Sequence, residues 1–383
     1  MSIGYCTKTD PFDKRSWSGT HYYILKTLEN HVCPVDALGP ITHPLFFLGR
    51  ALGKVSLITL KKRFLYSHST YFSKKYAEIL KRKLASKEFQ FLFFPAESDL
   101  LAYIDSSLPV VYLSDATFKA MISYHPGFTN LHGFNERSGD EIERRAIERA
   151  DLILYSSEWA KKSAIRDYQC TPDKIHVLPF GANIDFVPLR ETLMSVREED
   201  KRILKLLFIG VNWYRKGGDI AFRTLLELNK RGIETELTIC GCNPPGDIVH
   251  PSLRIVRFLN KNREDDVQEL SRLYQESTLF ILPTRNECAG IVFSEASAFA
   301  LPIVATDTGG VNTYVRNGIN GFTLPIDAGP EEYASIIKRI WEGKSLYLSL
   351  CIGARDLYDK ELNWERWGEE VKKLTAKFLN NKT

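Results

Sequence analysis

Glu287 and Glu295 stand eight positions apart, the second inside an apolar run with Phe293, Ala296, Ala298, Phe299 and Ala300. A carboxylate accepts hydrogen bonds from two neighbouring hydroxyls, and such charge-assisted bonds are about twice as strong as neutral ones, which suits sugar rings. Eight helical residues rise about 12 Å and nearly restore the same face. The pair therefore looks into one groove from points about as far apart as the sugar and the ribose of a sugar nucleotide. A solvated helical face is the ordinary reading of two such glutamates, but Glu295 sits in too apolar a setting for that, and a buried carboxylate needs partners. Between the two, the N–H groups near Gly290, Ile291 and Val292 open a helix and favour an anion such as a diphosphate. Upstream, Gly210-Val211-Asn212-Trp213-Tyr214-Arg215-Lys216-Gly217-Gly218 sets Arg215 and Lys216 at another helix start, again a place for negative charge. Downstream, Asp307-Thr308-Gly309-Gly310-Val311 lets backbone approach a ligand closely. Taken singly, each of these loops is an ordinary strand-to-helix turn. It is their convergence that points to phosphate and sugar chemistry.

Convergence requires a scaffold. Short apolar runs at Leu204–Ile209, Glu236–Cys240, Leu253–Leu259, Leu279–Leu282 and Pro302–Thr306 alternate with helical patterns at Gly217–Arg231, Asp265–Glu276 and Gly290–Ala300, the signature of a parallel sheet covered on both faces. Open parallel sheets bind ligands outside the carboxyl ends of their strands, which brings the segments after Ile209, Leu282 and Thr306 to one crevice. The first half repeats the theme with strands at Glu88–Phe94, Val110–Leu113, Leu152–Tyr155 and Ile175–Leu178 and a charged helix at Glu141–Ala150. Three helices, near Pro330–Trp341, Ser345–Tyr358 and Asn363–Phe378, close the chain. The expectation is an α/β protein of two Rossmann-like domains with parallel sheets facing a central cleft. The first domain covers 1–188, joined by a C-terminal helix at 360–383 that crosses back to it; 189–200 is a polar linker and 201–359 the second domain.

Composition agrees with this class and excludes others. The 383 residues are 44% hydrophobic and 26% charged, as in a globular protein rather than a disordered or fibrous one. The seven Cys lack CxxC or Cys/His ligand spacing, which argues against a zinc site or a disulfide frame. Met1–Asp10 shows no signal-peptide pattern. The apolar run Pro44–Leu60 is short and interrupted by Arg50 and Lys54, which argues against a spanning helix. A cytoplasmic location is expected. Net charge +4 gives no reason to expect nucleic acid as a partner. The stretch 61–83 combines Lys61, Lys62, Arg63, Lys74, Lys75, Lys81, Arg82 and Lys83 with aromatic residues. It reads either as a solvated helical face or as a peripheral dock on the anionic inner face of a membrane.

The region Leu204–Phe322 resembles the retaining GT-B glycosyltransferases of glycosyltransferase family four, the glycosyl transferases group 1. Ser156-Ser157-Glu158-Trp159 and Pro179-Phe180-Gly181-Ala182-Asn183 look like further landmarks of that family, and Asn363-Trp364-Glu365 looks like its closing helix. The resemblance implies a nucleoside-diphosphate sugar as donor, a sugar, glycan or lipid-linked acceptor, retention of configuration, and neither cofactor nor metal. It implies that Glu287 holds sugar hydroxyls near the reacting carbon and Glu295 the ribose, and that Lys216 with Arg215 neutralises the leaving diphosphate. Gly210, Thr284, Gly290, Ile291, Val292, Gly309 and Gly310 would line the donor. Ser18-Gly19-Thr20 looks like the family's N-terminal glycine loop, which puts Gly19 by the donor and Ser18 on the acceptor side. The chain departs from the family pattern at Val211, where an Arg is usual, at Cys288, where Gly is usual, near Thr313, where a Glu is common, and at Ser114-Asp115, where many members have His-Asp. Asp115 is thus a catalytic candidate or a turn-capping residue, and His125 an acceptor-side or a structural histidine. Against a nicotinamide or flavin oxidoreductase, neither Ile3-Gly4 nor Ile209-Gly210 opens a G-x-G-x-x-G. A GT-B nucleotide-sugar epimerase, a phosphorylase and a non-catalytic nucleotide-sugar-binding protein are the remaining alternatives.

Overall fold

The computed structural model describes residues 2–380 other than Ser86, Asp200 and Asp247. Residues 1–178 and 368–383 form one compact unit, and residues 179–367 a second. In the first, β1 (Ser2–Tyr5), β2 (Val35–Ala37), β3 (Phe89–Pro95), β4 (Val110–Ser114), β5 (Leu152–Tyr155) and β6 (Ile175–Val177) lie parallel in the order β2-β1-β3-β4-β5-β6. In the second, β7 (Leu204–Ile209), β8 (Thr235–Cys240), β9 (Leu253–Val256), β10 (Leu279–Leu282), β11 (Ile303–Thr306) and β12 (Gly321–Leu324) lie parallel in the order β12-β11-β10-β7-β8-β9. Each unit is thus a doubly wound, Rossmann-like α/β sheet.

The central strands are near-continuous apolar runs because helices cover both faces: Leu279-Phe280-Ile281-Leu282 is fully buried, as are Phe91 to Phe94. The edge strands β2 and β12 escape a pattern search, because Val-Asp-Ala and Gly-Phe-Thr-Leu are too short and too mixed to stand out. Strand order reverses between β1 and β3 in one sheet and between β7 and β10 in the other. At such a point the flanking loops diverge to opposite faces and leave a crevice at the carboxyl ends of the strands.

The stretch 189–200, expected as a linker, is a helix over Arg190–Glu198 that belongs to the second unit. Its fully buried Arg197 is the reason. The guanidinium donates to the carbonyl of Tyr274 at 3.0 Å and that of Phe299 at 2.9 Å, and also to Ser277. Those carbonyls close the helices Glu264–Glu276 and Ile291–Ala298, and one cation thereby satisfies acceptors that helix ends leave open. The final helix, Trp364–Asn380, starts in the second unit and belongs to the first from Gly368 on. At its start, Trp364 Nε1 donates to Asn183 Oδ1 at 3.1 Å, and a Cβ on Gly181 would lie 2.5 Å from the Trp364 backbone nitrogen.

Candidate active site in the second unit

The residues expected to line a donor gather around the β7/β10 crevice, apart from Gly19. The loop after β7 ends at Gly217, whose φ of +78° caps the helix Gly218–Lys230 and whose Cβ, if it had one, would sit 1.9 Å from the Pro283 carbonyl oxygen. The loops after β7 and β10 are therefore pressed together at a spot only glycine fits. Three more bonds stitch them: Arg285 N donates to the Arg215 carbonyl at 2.8 Å, Thr284 Oγ1 to the same carbonyl at 3.3 Å, and the Arg215 guanidinium to the Asn286 carbonyl at 3.1 Å. The third loop joins through Gly310 N, which donates to the Glu287 carbonyl at 3.0 Å.

Within this frame Lys216 and Glu287 form an ion pair, their side chains only 10% and 11% exposed. The Lys216 stem lies over Gly210, where a Cβ would meet its Cγ at 2.8 Å. Gly210 is thus what lets the ammonium reach Glu287. Gly290, at φ +81°, turns the chain from Glu287 into the helix Ile291–Ala298, and Gly309 takes φ +56°. The N–H groups of Ile291 and Val292 belong to the first turn of that helix, the turn that has no internal acceptors to offer.

Glu295 lies in the same helix, 2% exposed. Its required partners are Lys261, whose Nζ donates to Oε1 at 2.5 Å, and Tyr274, whose hydroxyl donates to Oε2 at 2.8 Å. Burial first, and then the Glu295 charge, hold the Tyr274 phenol well above its usual pKa, so it stays a donor. Neither partner was singled out from sequence. Lys261 follows β9 in the polar run Asn260-Lys261-Asn262, and Tyr274 reads as one more residue of an apolar helical face. The only sequence signal was the demand of Glu295 for company. Each of its oxygens keeps a lone pair beyond these contacts, so the carboxylate remains able to accept from a ligand.

The other expected residues lie in the first unit. Trp17, Ser18 and Gly19 take successive positive φ values of 47°, 57° and 92° before the helix Thr20–His31. Such a run concentrates backbone strain where function tends to collect. Asp115 follows β4 and is half-buried. His125 Nδ1 accepts from Gly127 N at 3.1 Å, and its ring meets Phe128, so this histidine caps a turn. In the basic stretch 61–83, Phe72, Tyr76 and Leu80 are core residues of the first unit. Most of its apolar half is therefore turned inward.

Residues 204–343 match the family described as glycosyl transferases group 1, and the match covers the ion pair, both glutamates and all three loops. Among curated relatives, the D-inositol 3-phosphate glycosyltransferase of Corynebacterium aurimucosum is 25% identical over 251 residues, 61% of this chain and 58% of the relative. The chain thus spans little more than half the length of that relative. Among solved structures, sucrose-phosphate synthase from Thermosynechococcus elongatus superposes with TM-score 0.69 at 15% identity, covering 99% of both chains. WaaG, a glycosyltransferase of lipopolysaccharide biosynthesis, superposes at 0.65 with 17% identity, covering 98% of this chain and 99% of its own. At these identities the likeness is one of fold, and the fold is GT-B.

Proposed function

We propose that the chain moves a hexose-type sugar from a UDP- or GDP-linked nucleoside-diphosphate sugar to a sugar, glycan or lipid-linked acceptor, with retention and without a metal. The observation that carries this reading is the buried Lys216–Glu287 pair at the β7/β10 crevice, one helix away from the Lys261–Tyr274 cradle of Glu295. On this reading Glu295 takes the ribose hydroxyls, the first turn of the helix Ile291–Ala298 the diphosphate, and Glu287 the sugar. Lys216, already held by Glu287, turns its charge to the diphosphate as that group gains electrons, and Arg215 adds a second cation. Preset positive charge of this kind is the largest catalytic contribution available to a reaction that expels an anion. The bond from the anomeric carbon to the diphosphate oxygen breaks as the acceptor oxygen bonds to the same face of that carbon. The acceptor proton passes to the departing diphosphate.

A solved neighbour from Anabaena, at TM-score 0.60 and 15% identity, was crystallised with UDP and glucose, which makes uridine donors the first to try. Calorimetric titration with UDP-, GDP- and ADP-sugars should show binding of one nucleotide class. Turnover of that donor with panels of soluble and lipid-linked acceptors, in the presence of EDTA, should yield a product whose anomeric proton coupling matches the donor. Binding of nicotinamide dinucleotides in place of sugar nucleotides, or an inverted product, would overturn the reading.

A further inference from the structure

The run Pro44–Leu60 folds as a helix over Pro44–Thr59, started by Pro44 and by His43 Nδ1 accepting from Leu45 N at 3.2 Å. It rests on the first unit along one narrow stripe. Phe46 stacks on Tyr76 with ring centroids 4.1 Å apart. Cβ atoms on Gly49 and Gly53 would lie 2.8 Å from Tyr66 and 2.9 Å from the Phe64 carbonyl. Ser56 Oγ donates to the Lys62 carbonyl at 2.8 Å. These residues recur every three or four positions and seat the helix firmly.

Among the described residues the opposite face has no such packing. Phe47, Leu48, Val55 and Ile58 are 68, 54, 55 and 78% exposed, and Leu52 and Leu60 are exposed beside them. At about 100° per residue, Phe47, Ile58, Ala51, Val55, Leu48 and Leu52 fall within an arc of about 140°. That is an amphipathic helix turned outward: Phe46 and the small residues Gly49, Gly53 and Ser56 face the protein, and most of the other large apolar residues face solvent. Contiguous apolar surface of this sort marks an interaction site.

Charge identifies what covers it. Between Asp36 and Glu78 the chain has no acidic residue, yet it carries Arg50, Lys54, Lys61, Lys62, Arg63, Lys74 and Lys75. Arg50 and Lys54 border the apolar arc, Lys61 and Lys62 extend from its C-terminal end, and all four are exposed. Among the described residues Lys54, Lys61 and Lys62 make no ion pair. No helix of the described residues is long and apolar enough to cross a bilayer. We propose that the helix Pro44–Thr59 with Lys61 and Lys62 is an interfacial anchor that lays its apolar face into an anionic lipid bilayer, the lysines and Arg50 meeting the headgroups. A helix of this design lies in the plane of the interface, apolar side chains among the upper acyl carbons and cations at the phosphates. This places the membrane contact on the helix before the stretch 61–83, with the first two lysines of that stretch as its charged flank.

Sedimentation of the full chain with phosphatidylcholine vesicles, and with vesicles that also contain phosphatidylglycerol, tests the proposal. The wild-type chain should bind the anionic vesicles more tightly than the neutral ones, and more weakly as salt is raised. Leu48→Glu with Ile58→Glu should lower affinity by about a hundredfold or more, and Lys61→Gln with Lys62→Gln by about tenfold or more. Val249→Glu, at an 89% exposed apolar site in the second unit, should bind as wild type. Unchanged far-ultraviolet dichroism and melting show that the helix variants stay folded, since all the substituted side chains are solvent-facing. Equal binding to neutral and anionic vesicles, or helix variants that bind as wild type, would overturn it. So would a wild-type dimer in gel filtration that Ile58→Glu dissociates and that ignores vesicles, since a second copy of the chain would then cover the face.

Discussion

Lys261→Met isolates the cradle of Glu295. The substitution keeps the length of the stem and removes the ammonium that meets Glu295 Oε1 at 2.5 Å, leaving a carboxylate 2% exposed with Tyr274 as its remaining described donor. Removing one member of a buried ion pair costs about 3–5 kcal/mol. The Lys261 side chain keeps 17% exposure, and water reaching that side places the cost at the lower end, about 3 kcal/mol. Tyr274→Phe removes a neutral donor to a charged acceptor, about 1.5–3 kcal/mol. Glu295→Gln with Lys261→Met leaves no buried charge, and the double variant should recover to within about 1 kcal/mol of wild type, about 2 kcal/mol more stable than Lys261→Met alone. Urea unfolding of the single and double variants reads these differences, a slope of about 2 kcal/mol per molar turning the Lys261→Met loss into a midpoint drop of about 1.5 M. A loss below about 1 kcal/mol for Lys261→Met, or a double variant no more stable than the single one, would show that Glu295 does not depend on this ion pair.

Gly217→Ala should be severe for its size, because a Cβ there would stand 1.9 Å from the Pro283 carbonyl oxygen at a φ of +78°. Donor affinity and melting temperature should both fall, by more than the roughly 1 kcal/mol of an ordinary unfavourable Gly→Ala change, and calorimetry with the donor checks the first. In the first unit, burial raises the Glu143 carboxyl to about 7, with Tyr112 donating to it at 3.1 Å. A carboxyl that ionises later in the folded chain than in the unfolded one stabilises the fold below its unfolded pKa and weakens it as pH rises toward 7. Glu143→Gln should therefore raise the melting temperature more at pH 8 than at pH 5, and equal shifts at the two values would refute the assignment.

Much of the candidate site in the second unit was legible because its scaffold is periodic. The strands Leu204–Ile209 and Leu279–Leu282 stand as read from sequence, since buried parallel strands are unbroken apolar runs bounded by loop residues. The approach of Lys216 to Glu287 followed from the rule that ligand loops cluster at carboxyl strand ends. What joins Lys261 and Tyr274 to Glu295 is tertiary: three segments that meet only once the sheet has formed, with no spacing to betray them. Arg197 was hidden for the opposite reason, a buried cation inside a polar run that resembles a linker. The outward face of Pro44–Thr59 was invisible because an apolar run carries no mark of whether protein, lipid or water covers it.

The central claim is that Lys216 and Glu287 act together on a sugar diphosphate. Its most direct measurement is the rate of nucleoside-diphosphate release from the bound sugar nucleotide, with acceptor, by the wild-type chain, by Lys216→Ala and by Glu287→Gln. Both variants should remain folded and lose about a hundredfold to a thousandfold in kcat, the usual consequence of deleting one preset charge at a departing anion. Rates within about threefold of wild type in either variant would place the chemistry elsewhere and contradict the account.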